Sequence, residues 1–131
     1  MTPPRDVLDT SMLIGGGWES EPDRLLAVSA VSLAELHFGA LLATDETVRA
    51  LRQRRLAEVE AAFVPLPVDA RVARAYAELA VALVRAGRAP RRRVADLLIA
   101  ATARVHGARL LTRNPADLVG LEGLVEVAAP A

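Results

Sequence analysis

Residues 7–14 read VLDTSMLI, a run of apolar residues interrupted by one carboxylate and two hydroxyl groups. The pattern predicts a short buried strand at residues 7–9 and a helical turn at residues 10–14, which glycines end. The interruption at Asp9 has two interpretations. Asp, Thr and Ser begin turns and helices by accepting hydrogen bonds from backbone N–H groups. Alternatively, Asp9 is a metal ligand at the carboxyl end of a buried strand.

Length and composition bound the class of protein. The chain has 131 residues, of which 53% are hydrophobic, and this suits one domain over residues 1–131 with a core of Ala, Val and Leu. We expect a cytoplasmic protein without membrane contact, since neither a membrane-length apolar run nor a signal-like opening occurs. There is no cysteine, which excludes disulfides and zinc–thiolate sites. All sixteen basic residues are arginine, and a P-loop, which needs lysine, is excluded.

Short apolar segments alternate with segments of helical periodicity along the chain. We predict strands at residues 7–9, 26–29, 63–66, 109–112 and 124–127, and helices at residues 31–43, 44–62, 70–85 (capped by Asp69) and 92–106. This alternation predicts an α/β sandwich with a mainly parallel sheet. Such sheets bind ligands at the carboxyl ends of their strands, where Asp9 and the turn containing Asn114 and Asp117 would lie.

Two acidic residues fall inside apolar helical segments. Glu35 follows Ser32 at the spacing of a capping box, which satisfies backbone N–H groups, although its apolar flanks would also hold the carboxylate against the sheet. Asp96 lies in VADLLIAA, residues 94–101, where burial without a counter-charge would be strongly unfavourable. That counter-charge is either Arg93, three residues earlier, or a metal ion shared with other carboxylates.

The stretch TRNPAD, residues 112–117, has turn chemistry at Asn114 and Pro115, and Asp117 suits the cap of a following short helix. The acids at strand ends and helix starts would nevertheless repel one another unless a divalent cation neutralised them. Magnesium and manganese prefer oxygen ligands. One or two such ions bind a phosphodiester and activate water for attack.

Four motifs in order resemble the PIN-domain ribonucleases, and more narrowly a VapC-type toxin of a type II toxin–antitoxin pair. They are VLDTS at 7–11, VSxVxxxEL at 28–36, DxxIAA at 96–101 and LTRNxxDL at 111–118. The resemblance implies a PIN-like three-layer α/β/α sandwich with a short, mainly parallel central sheet. It also implies an endoribonuclease that requires Mg²⁺, with Mn²⁺ as a substitute, and cleaves structured RNA such as tRNA or rRNA. The implied assembly is a homodimer that a cognate VapB-type antitoxin silences by covering the active-site groove.

The resemblance assigns catalysis and metal ligation to three acids of this chain, Asp9, Glu35 and Asp96, together with a fourth acid. The family places its fourth acid where this chain has Asn114, so we assign the role to Asp117. Four auxiliary residues would orient a carboxylate, a water molecule or a phosphate: Thr10, Ser11, Thr112 and Asn114. Arginine-rich segments at residues 52–55 and 91–93 either contact RNA phosphates or are solvated helix ends.

Two other functions stay open at this point. One is a catalytically weakened PIN-like module that binds or scaffolds, which Asn114 alone favours. The other is a phosphatase that uses Asp9 as its nucleophile, although that chemistry normally needs a second Asp two positions later, where the chain has Ser11.

Overall fold

The computed structural model describes residues 3–16, 18 and 23–130. The described residues form four strands and five α-helices. The strands are β1 (Arg5–Leu8), β2 (Leu25–Val28), β3 (Arg109–Leu111) and β4 (Val127–Ala128). The helices are α1 (Thr10–Gly15), α2 (Ala30–Leu42), α3 (Glu46–Ala62), α4 (Ala70–Arg85) and α5 (Val94–Val105). The short 3₁₀ turn Pro90–Arg93 precedes α5, and another, Pro115–Leu118, follows β3.

The four strands form one parallel sheet in the order β2-β1-β3-β4. Side chains alternate between its two faces, so Val7 packs with α4 and α5 while Leu8 packs with α1, α2 and α3. Both faces are therefore buried under helices, as is typical of parallel sheets. This confirms the predicted three-layer α/β/α fold. β1 and β3 lie at the centre, and both end at the same edge of the sheet.

Several predicted boundaries are wrong in detail. Residues 63–66 form no strand; Leu66 makes only an isolated parallel bridge with Ser29. Pro65 and Pro67 flank Leu66, and proline has no N–H group to extend a ladder. The last strand is Val127–Ala128 rather than 124–127. The predicted helix at 92–106 starts at Val94, after a 3₁₀ turn that Pro90 begins.

The predicted cap of α4 is confirmed, since the Asp69 carboxylate accepts a hydrogen bond from the N–H of Val72 at 3.1 Å. Across the described part of the chain, every helix is too short or too polar to span a bilayer.

Candidate active site

Asp9 follows β1 directly and is the N-cap of α1. Its Oδ1 accepts hydrogen bonds from the backbone N–H of Ser11, at 2.7 Å, and from the Ser11 hydroxyl. Its Oδ2 accepts one from the hydroxyl of Thr112, at 2.6 Å. Thr112 follows β3, the parallel neighbour of β1. The capping interpretation of Asp9 is therefore confirmed, and the same carboxylate lies at the ligand edge of the sheet.

Glu35 belongs to the second turn of α2, which begins at Ala30. The capping box expected between Ser32 and Glu35 is wrong, because Ser29 is the N-cap and its hydroxyl accepts from the N–H of Val31 at 3.0 Å. The Glu35 carboxylate instead accepts a hydrogen bond from the Thr10 hydroxyl at 2.5 Å. The Oγ of buried Ser32 lies 3.1 Å from the same hydroxyl. Thr10 thus ties α1 to the acid of α2.

Asp96 lies in the first turn of α5, beside Arg93. One guanidinium nitrogen of Arg93 is 3.7 Å from Asp96 Oδ2, and another is 3.3 Å from Asp117 Oδ1. Burial raises the pKa of Asp96 above its ordinary value, and the negative charges of Asp9, Glu35 and Asp117 raise it further, while Arg93 lowers it. Arg93 therefore opposes the effects of burial and of the neighbouring acids on this pKa without cancelling them.

Asp117 and Asn114 belong to the turn after β3. The prediction that Asp117 caps a following helix is wrong, because Asp117 lies inside the 3₁₀ turn Pro115–Leu118, which Asn114 precedes. The backbone N–H of Asn114 donates to the Thr112 hydroxyl at 3.1 Å. That bond links the turn to the same hydroxyl that holds Asp9.

A cavity of about 90 Å³ lies where these elements meet. Its lining residues are Asp9, Thr10, Ser11, Glu35, Asp96, Asn114, Asp117 and Leu118. The structure therefore brings together the four predicted acids and three of the predicted auxiliary residues. Thr112, the fourth, is buried and does not line the cavity, but its hydroxyl is hydrogen-bonded to Asp9 and to the backbone N–H of Asn114, which do. We call this cavity the acidic cleft.

The donor chemistry of the acidic cleft fits Mg²⁺ or Mn²⁺, since both take carboxylate oxygens and a divalent cation would relieve the repulsion that raises the pKa of Asp96. Within residues 3–16, 18 and 23–130, however, no three His, Cys, Asp or Glu side chains are arranged to hold an ion as they stand. Hydroxyl groups hold Asp9 and Glu35, and Arg93 contacts the other two acids. Closing the site around an ion would require side-chain rotation.

A second cavity, of about 460 Å³, adjoins the acidic cleft and shares Glu35 with it. Its other lining residues are Ile14, Leu36, Gly39, Leu51, Arg52 and Arg55. We call it the apolar groove. The arginine-rich segments of the sequence therefore differ in position: Arg52 and Arg55 line this groove, whereas Arg93 reaches the acidic cleft.

Known proteins are similar to this chain in sequence and in fold. Residues 7–116 match the family model described as the PIN domain. The chain belongs to the PIN-domain family. It is 39% identical to Ribonuclease VapC5 of Mycobacterium tuberculosis, over 96% of this chain and 94% of that protein, which places it among the VapC-type toxins of the family.

Solved structures agree with this PIN-domain assignment. The crystal structure of VapBC-5, a toxin–antitoxin system of M. tuberculosis, matches with a TM-score of 0.79 and 37% identity over 97% of this chain and 98% of that chain. VapBC2 from Rickettsia felis, bound to a DNA fragment from its promoter, matches with a TM-score of 0.77 over 95% and 98%. Its identity of 20% supports the fold alone.

Two features of the PIN-domain cleft escaped sequence reasoning. The first is the contact between the hydroxyls of Ser32 and Thr10. The capping interpretation of Ser32 does not predict it, although Ser32 lies one helical turn before Glu35 on the same helix face. The contact between Arg93 and Asp117 joins residues far apart in the sequence, and no local pattern predicts it.

Proposed function

We propose that this chain is an endoribonuclease that uses Mg²⁺ or Mn²⁺ to hydrolyse phosphodiester bonds in structured RNA, tRNA or rRNA. The observation that carries the proposal is the acidic cleft, where carboxylates from the end of β1, from α2, from α5 and from the turn after β3 line one cavity. The similarity to a VapC ribonuclease supports the activity. Metal dependence and the choice of RNA are the parts that experiment must test.

The ion would be held by Asp9, Asp96 and Asp117, with Glu35 nearby. When bound, it would supply charge stabilisation for the phosphoryl group and a water of lowered pKa. Ser11 and Thr112 fix both oxygens of Asp9 by hydrogen bonds, so its carboxylate is oriented in advance. Thr10 fixes one oxygen of Glu35, leaving the other to accept a proton from the attacking water.

Asp9→Asn tests this function most directly. Asparagine keeps the oxygen that caps α1 but removes the negative charge. We expect cleavage of tRNA and rRNA by the purified protein in Mg²⁺ to fall about 100-fold or more, the scale of losing an essential catalytic group. RNA-end mapping after induction of wild type and variant would identify the cleaved sites.

The matched control is Glu46→Gln, which removes one charge from an exposed position in the first turn of α3. It should cleave RNA at the wild-type rate. Cleavage by Asp9→Asn at that same rate would contradict the assignment of the acidic cleft as the catalytic site.

The scaffold interpretation has one observation in its favour, the neutral amide of Asn114 in the cleft. Titration with Mg²⁺ or Mn²⁺, followed by thermal unfolding, separates the two functions. An ion that binds the folded state raises the unfolding temperature, so a rise in wild type that Asp9→Asn lacks supports the enzyme. If neither ion changes the unfolding temperature of the wild-type protein, the result supports the scaffold.

We also propose a VapB-type antitoxin as the partner, because structures of similar chains are toxin–antitoxin complexes. The apolar groove suits it, since Ile14 and Leu51 are 67% and 57% exposed there. A segment seated in this groove would reach Glu35 and so cover the acidic cleft. Leu51→Asp should weaken antitoxin binding, whereas Val64→Asp, at a 91% exposed position outside the groove, should not.

The proposed assembly is a cytoplasmic homodimer that binds this antitoxin. Light scattering coupled to size-exclusion chromatography, with and without the co-expressed antitoxin, measures both states. A monomeric mass at micromolar concentration would contradict the homodimer.

A further inference from the structure

We propose that Arg93 is an internal counter-cation that competes with the divalent ion for Asp96 and Asp117. Ion binding then displaces the Arg93 guanidinium from the acidic cleft. The inference rests on the proposed metal site and adds a residue that sets the affinity of that site.

The position of Arg93 supports this role. It ends the 3₁₀ turn Pro90–Arg93 directly before α5, so its side chain reaches Asp96 three residues later and Asp117 on the facing turn. Within the part of the chain that the structure describes, these two acids are the ion-pair partners of Arg93. Its guanidinium is therefore a counter-charge for two acids of the acidic cleft.

The contacts of Arg93 with Asp96 and Asp117 are weak enough for a divalent ion to replace the guanidinium. The separations of 3.7 and 3.3 Å are longer than the 2.7–2.9 Å typical of charge-assisted hydrogen bonds. The side chains of Arg93, Asp96 and Asp117 are 33%, 35% and 44% exposed, and ion pairs with such exposure contribute little stability. A divalent ion carries twice the charge and contacts carboxylate oxygens directly, so it can replace the guanidinium.

The arrangement of the acids also favours such an exchange. No three of the described acidic or histidine side chains are arranged around an ion position, and two of the four cleft acids are turned to Arg93. Releasing Arg93 frees an oxygen of each, Asp96 Oδ2 and Asp117 Oδ1. Arg93 thus lowers repulsion among the acids when no ion is bound and opposes the ion when it binds.

Titration calorimetry with Mn²⁺, in the absence of RNA, measures this competition. Removing two exposed ion pairs in Arg93→Ala should tighten Mn²⁺ binding about three- to tenfold. The control is Arg92→Ala, which removes the same charge from the neighbouring exposed position. Because the ion pairs of Asp96 and Asp117 in the described chain are with Arg93 and not with Arg92, the affinity of Arg92→Ala should stay within about twofold of wild type. Arg93→Gln repeats the test with a longer side chain in case the alanine variant folds poorly by circular dichroism.

Unchanged or weaker Mn²⁺ binding in Arg93→Ala and Arg93→Gln would overturn the inference. Equal tightening in Arg92→Ala would overturn it too, because the effect would then come from net charge and not from contact. Asp9→Asn separates this failure from failure of the metal site. If wild type binds Mn²⁺, Asp9→Asn does not and Arg93→Ala equals wild type, only the inference fails. If neither wild type nor any of the variants binds Mn²⁺, the proposed metal site fails as well.

Discussion

The two ends of the sheet use aspartate in opposite ways, although Asp6 and Asp9 are three residues apart. Asp6 is fully buried at the amino end, where Arg109 donates to both of its oxygens at 3.0 and 2.8 Å and Arg24 donates at 2.6 Å. Asp9, at the carboxyl end, is held by a backbone N–H and two hydroxyl groups. Neutral donors orient a carboxylate without cancelling its charge. From these partners we expect a structural role for Asp6 and a catalytic role for Asp9.

Electrostatics repeats this contrast at the level of whole regions. At the carboxyl end, burial and neighbouring acids raise the pKa of Asp96. At the amino end, burial and then the positive charges of Arg71 and Arg5 lower the pKa of His106. The formal net charge of the chain is zero, so this contrast arises from how the fold places charged side chains around Asp96 and around His106.

The largest expected effect on stability comes from Asp6. In Asp6→Ala the two guanidinium groups lose the buried carboxylate that both contact. Breaking a buried ion pair from one side should lower the free energy of unfolding by about 3–5 kcal/mol. Urea denaturation of the variant beside wild type measures this loss. A loss below about 1 kcal/mol would place Asp6 with ordinary surface acids and break the contrast.

Substitution of Asp9 should affect RNA cleavage more than stability. Both Asp9→Ala and Asp9→Asn should lose RNA cleavage, but only alanine removes the cap that accepts from the N–H of Ser11. Alanine at an N-cap lowers stability by about 1 kcal/mol, whereas asparagine caps as well as aspartate. Urea denaturation of the two variants separates capping from chemistry. Equal stability of the two variants would mean that α1 does not depend on this cap.

Asp96→Asn should stabilise the folded protein slightly when no metal is present, whereas Asp6→Ala and Asp9→Ala destabilise it. Because the folded-state pKa of Asp96 is raised above its ordinary value of 3.8, the native state binds more protons than the unfolded state just above that pH. Stability falls as pH rises through this window, and the penalty persists at higher pH. Removing the charge should therefore raise the unfolding temperature slightly at pH 7 in EDTA, with no gain at pH 3.

Adding Mg²⁺ provides the control for Asp96→Asn. Wild type should gain stability with the ion, and the variant should gain less because it has lost one ligand. A lower unfolding temperature of the variant in EDTA at pH 7 would show that the contact with Arg93 outweighs the repulsion among the acids.

Much of this fold and site follows from local sequence. Apolar strand segments and helical periodicity predict the parallel sheet, and strands that end at one edge bring Asp9 near the turn of Asn114 and Asp117. The bridge between Ser29 and Leu66 does not follow, because a single pair leaves no periodic signal.

The hydrogen-bond and ion-pair partners of individual acids could not be predicted from the sequence. Whether Glu35 completes a capping box depends on where α2 begins, and Ser29 and Ser32 are both acceptable caps. Asp6 is not among the predicted residues, although it has a usable signal: it lies opposite Arg109 in the register of β1 and β3, and opposite charges on neighbouring strands attract. Finding it required the strand pairing first.

His106 provides the smallest prediction, at the amino end of the sheet. Its lowered pKa means that the unfolded chain binds a proton below about pH 6.5 more readily than the native state. Stability should therefore fall as pH decreases from 6.5 towards the lowered value, and His106→Gln should remove that part of the fall. The change should be less than about 0.5 kcal/mol, the scale of surface substitutions.

Thermal unfolding at pH 7.5 and 5.5, in low and high salt, measures the effect of His106→Gln. High salt should shrink the difference from wild type, because it screens Arg71 and Arg5, whose effects each exceed the opposing effect of Asp69, but leaves the burial of His106 unchanged. His37→Gln, which changes the other histidine of the chain, should keep the His106-dependent fall. If salt left the difference unchanged, burial alone would explain the lowered pKa of His106, and the positive character of this end of the sheet would lose its support.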